Sequence, residues 1–429
     1  MKYDVAIVGL GSAGATAAAF CARKGLKVVA VDRLPRHKAG AQWVNGVPEW
    51  VFDETELARP FGAELRGAEH PFYMVAGWDS SCRVTIEHTG VLEVDMRHYT
   101  RRLQEQAETL GADIRGGVRV EGFDGDTLST SAGPIRARWY VDAAGMGGFQ
   151  GRPVSSGPTA LCTAAQYVHT LKDRAGAQAF LQKHRIREGA ALCFTGIAGG
   201  YSILNVRIEG DRVSILTGSI PAWGHASGRR IVKDFLQAHP FVGAQRFGGM
   251  RAIPLAGPSI CVGQDRVAKI GDSAGQIQAV HGSGIGQQIL AAEVLAHSFA
   301  EGSGPAGYNV RWQRKYGGYL AWSAAFCRFS QSLQPGELAR LVRTGTLHAH
   351  VMGDVLRQRA PRPNPRALFK SVRGLTQATG VRARLLGVVA RQPVLAAHYA
   401  RYPEATAQRA AWAQMTKRIA GALPNEQAF

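Results

Sequence analysis

KYDVAIVGLGSAGATAAAFCARKGLKVVAVDR, residues Lys2–Arg33, reads as strand, tight glycine turn, helix and second strand. Val5, Ala6, Ile7 and Val8 form an apolar run short enough for a strand buried on both faces. Gly9, Gly11 and Gly14 then supply G-x-G-x-x-G, with Ser12 and Ala13 inside it and the small-residue run Ala15–Cys21 behind it as a helix. The first glycine permits the turn, the second lets a pyrophosphate approach the backbone, and the third lets helix and strand pack tightly. Phosphates would sit at the helix N-terminus, where unpaired N–H groups and the helix dipole favour negative charge. Val28–Val31 is the second strand, and Asp32 closes it in position to accept hydrogen bonds from a ribose hydroxyl. A glycine-rich helix start alone does not account for an acid at that place.

Working outward, the 429 residues predict two or three domains, and the 52 glycines suit backbone that passes close to a large flat ligand. The six cysteines, Cys21, Cys82, Cys162, Cys193, Cys261 and Cys327, are scattered and show no C-x-x-C or other metal-ligand spacing. In a chain this long they read as apolar thiols in a reducing compartment rather than as a disulfide framework, and no metal is expected. The first strand begins at the N-terminus and no apolar run reaches ~18 residues, so the reading is cytoplasmic, without signal peptide or membrane span. The net charge of +19 is uneven: residues 301–429 hold 19 Lys and Arg against 5 Asp and Glu. Such a field attracts an acidic protein or peptide, an anionic membrane surface or nucleic acid. No recognised nucleic-acid-binding module accompanies it, which disfavours the last, and an acidic protein or peptide docking on the basic C-terminal third is expected ahead of a membrane surface.

Further along, a short helix is expected near Glu54–Phe61, strands at Val84–Ile86 and Val91–Val94, and an amphipathic helix over Asp95–Gly111. Ala112–Val120, Gly122–Thr130 and Ile135–Ala137 read as strands, and Trp139–Gly145 as a buried strand ending in a small-residue turn. Leu161–Val168, Ala191–Thr195, Tyr201–Ile208 and Arg212–Thr217 read as an inserted antiparallel sheet, with a helix at Gly228–Ala238. Beyond Gly307 the chain reads as basic helices, starting with Tyr308–Leu333, Gly336–Thr344 and Val351–Arg359.

The second decisive stretch is AKIGDSAGQIQAVHGSGIGQQ, Ala268–Gln288. A strand ends at Gly271-Asp272, and a loop with glycines at 275, 282, 284 and 286 enters a long helix, Gly284–Ala300. Asp272 is placed to bind a ribityl hydroxyl, and the helix start to meet a ring that gains negative charge on reduction. With Gly9–Gly14 and the strand ending at Gly145, this resembles the FAD-dependent superfamily of aromatic hydroxylases, flavin-dependent tryptophan halogenases and geranylgeranyl reductases, over about residues 1–300. The resemblance implies that G-D-x-A-G at Gly271–Gly275, with Gly282, Gly284 and Ile285, holds the ribityl chain and isoalloxazine. It implies that Ala144 and Gly145, with Arg152 beyond, back the adenosine and phosphates, that Arg97 reaches the flavin chain, and that Arg33 and Val120 also contact FAD. His281 stands where many relatives have proline, and an imidazole there could act as acid, base or hydrogen-bond donor, or be structural. Trp43, Asn45, Tyr201, Trp223 and Arg251, with Tyr73 and Trp78, are the pocket candidates.

The tryptophan halogenases' W-x-W-x-I-P segment is absent, and Gly199–Val206 lacks the tryptophan and proline of the reductases' lipid-site motif. No second G-x-G-x-x-G follows the first, so reduced nicotinamide would bind transiently or a separate reductase would supply electrons. The expected fold is α/β: a Rossmann-like FAD-binding domain (1–150 and 260–305), an antiparallel-sheet substrate domain (151–259, joined by part of 41–95) and a basic helical C-terminal domain (306–429). The expected activity is FAD-dependent monooxygenation of an aromatic substrate through a flavin C4a-hydroperoxide, using O2 and NADH or NADPH or an external reductase. A tryptophan side chain of a peptide or protein partner, during quinone-cofactor biogenesis, is one substrate class that suits the charge. The alternative is a geranylgeranyl-reductase-like flavoprotein acting on an isoprenoid, with Val381–Leu395 as a membrane-surface helix. A flavin-binding docking protein is the third reading.

Overall fold

The computed structural model describes residues 2–67, 70–149, 157–362 and 364–421; Arg152 lies outside them. The opening stretch forms strand Tyr3–Val8, helix Ser12–Arg23 and strand Val28–Asp32. They belong to a six-stranded sheet in the order 263–264, 267–269, 137–142, 3–8, 28–32, 113–116. All pairings in it are parallel except the first. Ala13 to Ala22 are buried along the whole helix, because side chains no larger than these let it lie flat on a parallel sheet.

A seven-stranded sheet covers one side, in the order 242–254, 161–171, 212–219, 202–209, 191–195, 72–76, 83–86. It is antiparallel except where Ala191–Thr195 runs parallel to Phe72–Ala76. Strands Val44–Pro48, Val91–Asp95 and Leu65–Gly67 form a small third sheet. One face of the large sheet packs Tyr73, Val75, Leu192, Leu204, Val206 and Ile215 with helices Arg174–His184 and Gly228–Ala238. Because strand side chains alternate, the other face is free to wall a cavity.

Several elements depart from the sequence reading. The helix expected near Glu54–Phe61 is Glu49–Glu54, ended by Glu56 with φ +50°. The strand expected over Ala112–Val120 breaks at Gly117, φ +78°, into Asp113–Gly116 and Val120–Phe123. Helix Arg174–His184 and the 13-residue strand Val242–Pro254 are absent from the sequence reading. Glycines at 243, 248 and 249 hide the last; a Cβ on Gly248 (φ +140°) would fall 2.2 Å from the Gln166 carbonyl oxygen. The expected Tyr308–Leu333 helix is Gly304–Trp312, a π turn at Gln313–Gly317 and Gly318–Gln331. Helices Pro335–Arg343, Ala349–Leu356, Pro365–Gln377, Arg382–Ala400 and Thr406–Ala420 follow. A Cβ on Gly317 would lie 2.4 Å from the Tyr399 ring, so its absence lets helix Arg382–Ala400 cross closely. The six cysteines are free, five buried and Cys261 partly so.

Candidate functional site

One cavity of about 1400 Å³ runs from the first glycine turn to the C-terminal helices. Drug-sized ligands usually occupy about 300–1,000 Å³, so there is room for a cofactor and a second molecule.

At the near end, Gly9, Gly11, Ser12 and Ala13 line the cavity. Gly14 does not: a Cβ there would be 1.8 Å from the Gly9 carbonyl oxygen, so this glycine sets helix–strand packing. Gly9, φ +109°, similarly faces the Ala143 carbonyl at 2.3 Å. The Asp32 carboxylate is fixed by the N–H groups of Leu10 and Leu34, each 2.8 Å away. It keeps acceptor capacity toward the cavity, which Arg33, Arg119 and Val120 also line. Buried Asp142 accepts from the Ala144 and Phe149 N–H groups at 3.0 and 3.2 Å, which shapes the turn presenting Ala144 and Gly145.

In the middle, Asp272, Gly282, Ser283, Gly284 and Ile285 line the wall where helix Ile285–Ala300 begins. Burial raises the Asp272 carboxyl, opposed by the positive charge of Arg251; the Gln288 amide reaches it only at 3.5 Å. The loop before the helix is tied down by buried glutamines. The Gln278 side chain accepts from the His281 N–H at 2.6 Å and donates to the Tyr319 hydroxyl at 3.2 Å, and Gln276 joins the Gly271 N–H to the Tyr308 hydroxyl. His281 is partly open to the cavity, yet the surrounding protein desolvates its ring and lowers the imidazole to about 4. Its Nδ1 and the Ser283 hydroxyl lack hydrogen-bond partners. Under-partnered groups in this turn, a buried carboxylate and a glycine cradle fit a bound FAD.

The large sheet supplies the opposite wall in two cross-strand rows, Gly249–Gln166–Leu216–Asn205–Cys193–Met74 and Arg251–Ala164–Gly218–Ile203–Thr195. The buried side-chain oxygens of Gln166 and Asn205 also lack partners. Sequence reasoning passed over Gln166, Asn205, Ser283 and Gln288; the only signal was a polar residue at an inward position or in a helix's first turn. Trp43, Asn45, Tyr201 and Arg251 line the cavity. Arg251 donates to the Gly40 carbonyl at 3.0 Å and lies 5.5 Å from the Trp43 ring, clamping that loop to the sheet. Tyr201, raised well above an ordinary tyrosine by burial, sits against Gly282, where a Cβ would be 2.6 Å from its hydroxyl.

Four candidates sit elsewhere. Arg97 pairs with Asp95 at 2.7 Å and lies 3.5 Å over the Phe247 ring, so its charge is spent on the helix start rather than the cavity. Trp223 is half exposed on the surface, bonded to the Thr159 carbonyl. Tyr73 points into the core on the far face of the sheet, and Trp78 is exposed against Phe194.

The far end is largely apolar, although Thr346, His350, Arg362, Asn364 and Gln392 also line it. Trp322, Phe326 and Phe329 recur on one face of helix Gly318–Gln331, opposite Leu338, Met352, Leu375 and Leu385.

Residues 4–214 match the family described as FAD binding domain. The chain is 25% identical over 376 residues to digeranylgeranylglycerophospholipid reductase 2 of Methanothermobacter thermautotrophicus, covering 80% of this chain and 92% of the relative. The crystal structure of a geranylgeranyl bacteriochlorophyll reductase-like protein from Thermoplasma acidophilum superposes with a TM-score of 0.70 at 16% identity, over 90% of this chain and 99% of that one. PqsL, a probable FAD-dependent monooxygenase from Pseudomonas aeruginosa, gives 0.59 at 15% identity, over 80% and 99%. Residues 4–214 are thus similar to an FAD binding domain, and the chain shares its fold with these solved structures.

Proposed function

We propose that this protein reduces carbon–carbon double bonds of an isoprenoid chain. The observation that carries the reading is the length and apolar character of the cavity beyond His281 and Tyr201, walled by side chains of five C-terminal helices. A compact aromatic substrate would leave that end unfilled, whereas a prenyl chain matches a long apolar slot. The reductase relative supports the same reading over most of both chains.

Bound in the near half, FAD supplies the hydride, replenished by NADH, NADPH or a separate reductase. The helix start at Ser12 and the turn at Ala144 hold its phosphates, Asp32 its ribose and Asp272 its ribityl hydroxyls. His281, neutral near pH 7, serves as a hydrogen-bonding group at Nδ1 rather than as an acid. The Tyr201 hydroxyl stays protonated and stands beside the substrate slot, placed to donate the proton that completes reduction. The apolar wall keeps water from the reacting carbons.

The test is mass spectrometry of a geranylgeranyl lipid incubated with the FAD-loaded protein and a reductant. Gain of a hydrogen pair per double bond is expected; an unchanged lipid would sink the reading. Aromatic hydroxylation remains the second reading, favoured by Trp43, Tyr201, Trp322 and Phe326 in the cavity wall. It predicts oxygen uptake and an added oxygen atom on an aromatic compound instead.

A further inference from the structure

The far end of the cavity opens between helices Pro365–Gln377 and Arg382–Ala400. Val372, Leu386 and Val389 line it and are 51%, 49% and 48% exposed, so the lining continues onto the outer surface. Phe369, 70% exposed, and Val394, 50%, extend that apolar surface without lining the cavity. A large exposed phenylalanine beside the mouth of an apolar slot marks an interaction site more than a tolerated surface residue.

The charge carried by helices Pro365–Gln377 and Arg382–Ala400 themselves has one sign. From Val355 to Pro403 the chain holds ten Lys and Arg and no Asp or Glu. Arg366, Lys370, Arg373 and Arg382 are exposed, with no ion-pair partner among the described residues. A second copy of this chain, at +19, would bring cations to cations. An acidic protein would answer the charge but has no reason to meet the open end of an apolar slot. Anionic lipid answers both, with phosphates for the cations and acyl chains for the apolar ridge.

We propose that this face docks on an anionic lipid surface with the cavity mouth against the acyl region, so that a prenyl chain passes from the bilayer into the slot. The proposal deepens the isoprenoid reading, and its test is independent of turnover. The full-length, FAD-loaded protein is sedimented with phosphatidylcholine vesicles, with and without phosphatidylglycerol. Pelleting is expected with the anionic vesicles only, and raised salt should release it. The double variant Phe369→Ser/Val394→Ser and the single variant Arg373→Glu should each bind these vesicles about tenfold or more weakly. Both should retain FAD and reduce detergent-dispersed substrate at the wild-type rate.

Equal pelleting on neutral and anionic vesicles, no pelleting at all, or variants that pellet like wild type would each overturn the proposal. So would a wild-type dimer in light scattering that the double variant disperses, which would make a second copy the occupant. Anionic-vesicle binding without lipid reduction would keep the docking face and remove the reductase reading. Reduction in detergent without vesicle binding would do the reverse.

Discussion

A methyl group on Gly14 would meet the Gly9 carbonyl oxygen at 1.8 Å, a contact that only backbone movement could relieve. Gly14→Ala should therefore push helix Ser12–Arg23 off the sheet, costing about 1–3 kcal/mol. Denaturant unfolding should show that loss, and the purified variant should retain less FAD. His281 makes a prediction in pH. Its imidazole, ordinarily near 6.5, is lowered to about 4 by desolvation. Between those values the unfolded chain binds a proton that the folded chain does not. The residue's contribution to stability therefore falls as pH drops from 6.5 to 4 and is level outside that window. The urea-midpoint difference between wild type and His281→Asn should change across that range and stay flat above pH 7. A difference constant with pH would contradict the assignment.

At the scale of elements, the start of helix Met96–Thr109 explains where Arg97 went. Asp95 is fully buried and accepts from the Arg97 N–H at 3.2 Å, from the Arg97 guanidinium at 3.0 and 2.7 Å, and from Arg66 at 3.0 and 2.8 Å. Desolvation raises this carboxyl, but the hydrogen bonds from Arg97 and Arg66 outweigh it and hold it below the usual aspartate range. Asp95→Ala removes a helix cap and strands two cations, and should cost about 3–5 kcal/mol in chemical denaturation. The wall made by helix Arg382–Ala400 gives a functional counterpart. Leu386→Trp should narrow the slot, raising KM for a long prenyl substrate about tenfold or more while sparing a short one. Equal effects on both lengths would place the substrate elsewhere.

For the molecule as a whole, FAD should act as a structural ligand, since strand 3–8, turn 142–145 and loop 271–285 all contribute to the wall of its site. At a hundredfold excess over Kd it should add about 2.7 kcal/mol of stability. Thermal unfolding should shift upward with the logarithm of FAD concentration, and Asp272→Asn should blunt the shift. Among the described residues, no helix is long and apolar enough to cross a membrane.

The sequence by itself determined the nucleotide half. Strand, glycine turn, helix and closing acid are contiguous, so local spacing carries them, and Asp272 with the Gly282–Ile285 turn is legible for the same reason. It also showed that the basic charge is concentrated toward the C-terminus, because charge is additive and needs no fold. Tertiary structure alone decided the rest. Gln166 and Asn205 meet only through strand register, and Phe72–Ala76 joins the large sheet only by pairing with a strand more than a hundred residues away. Arg97 turned to Asp95 because a buried carboxylate needs a cation more than the cavity does. The apolar slot exists because helices far apart in the chain each leave one face turned inward, a relation that no local pattern encodes.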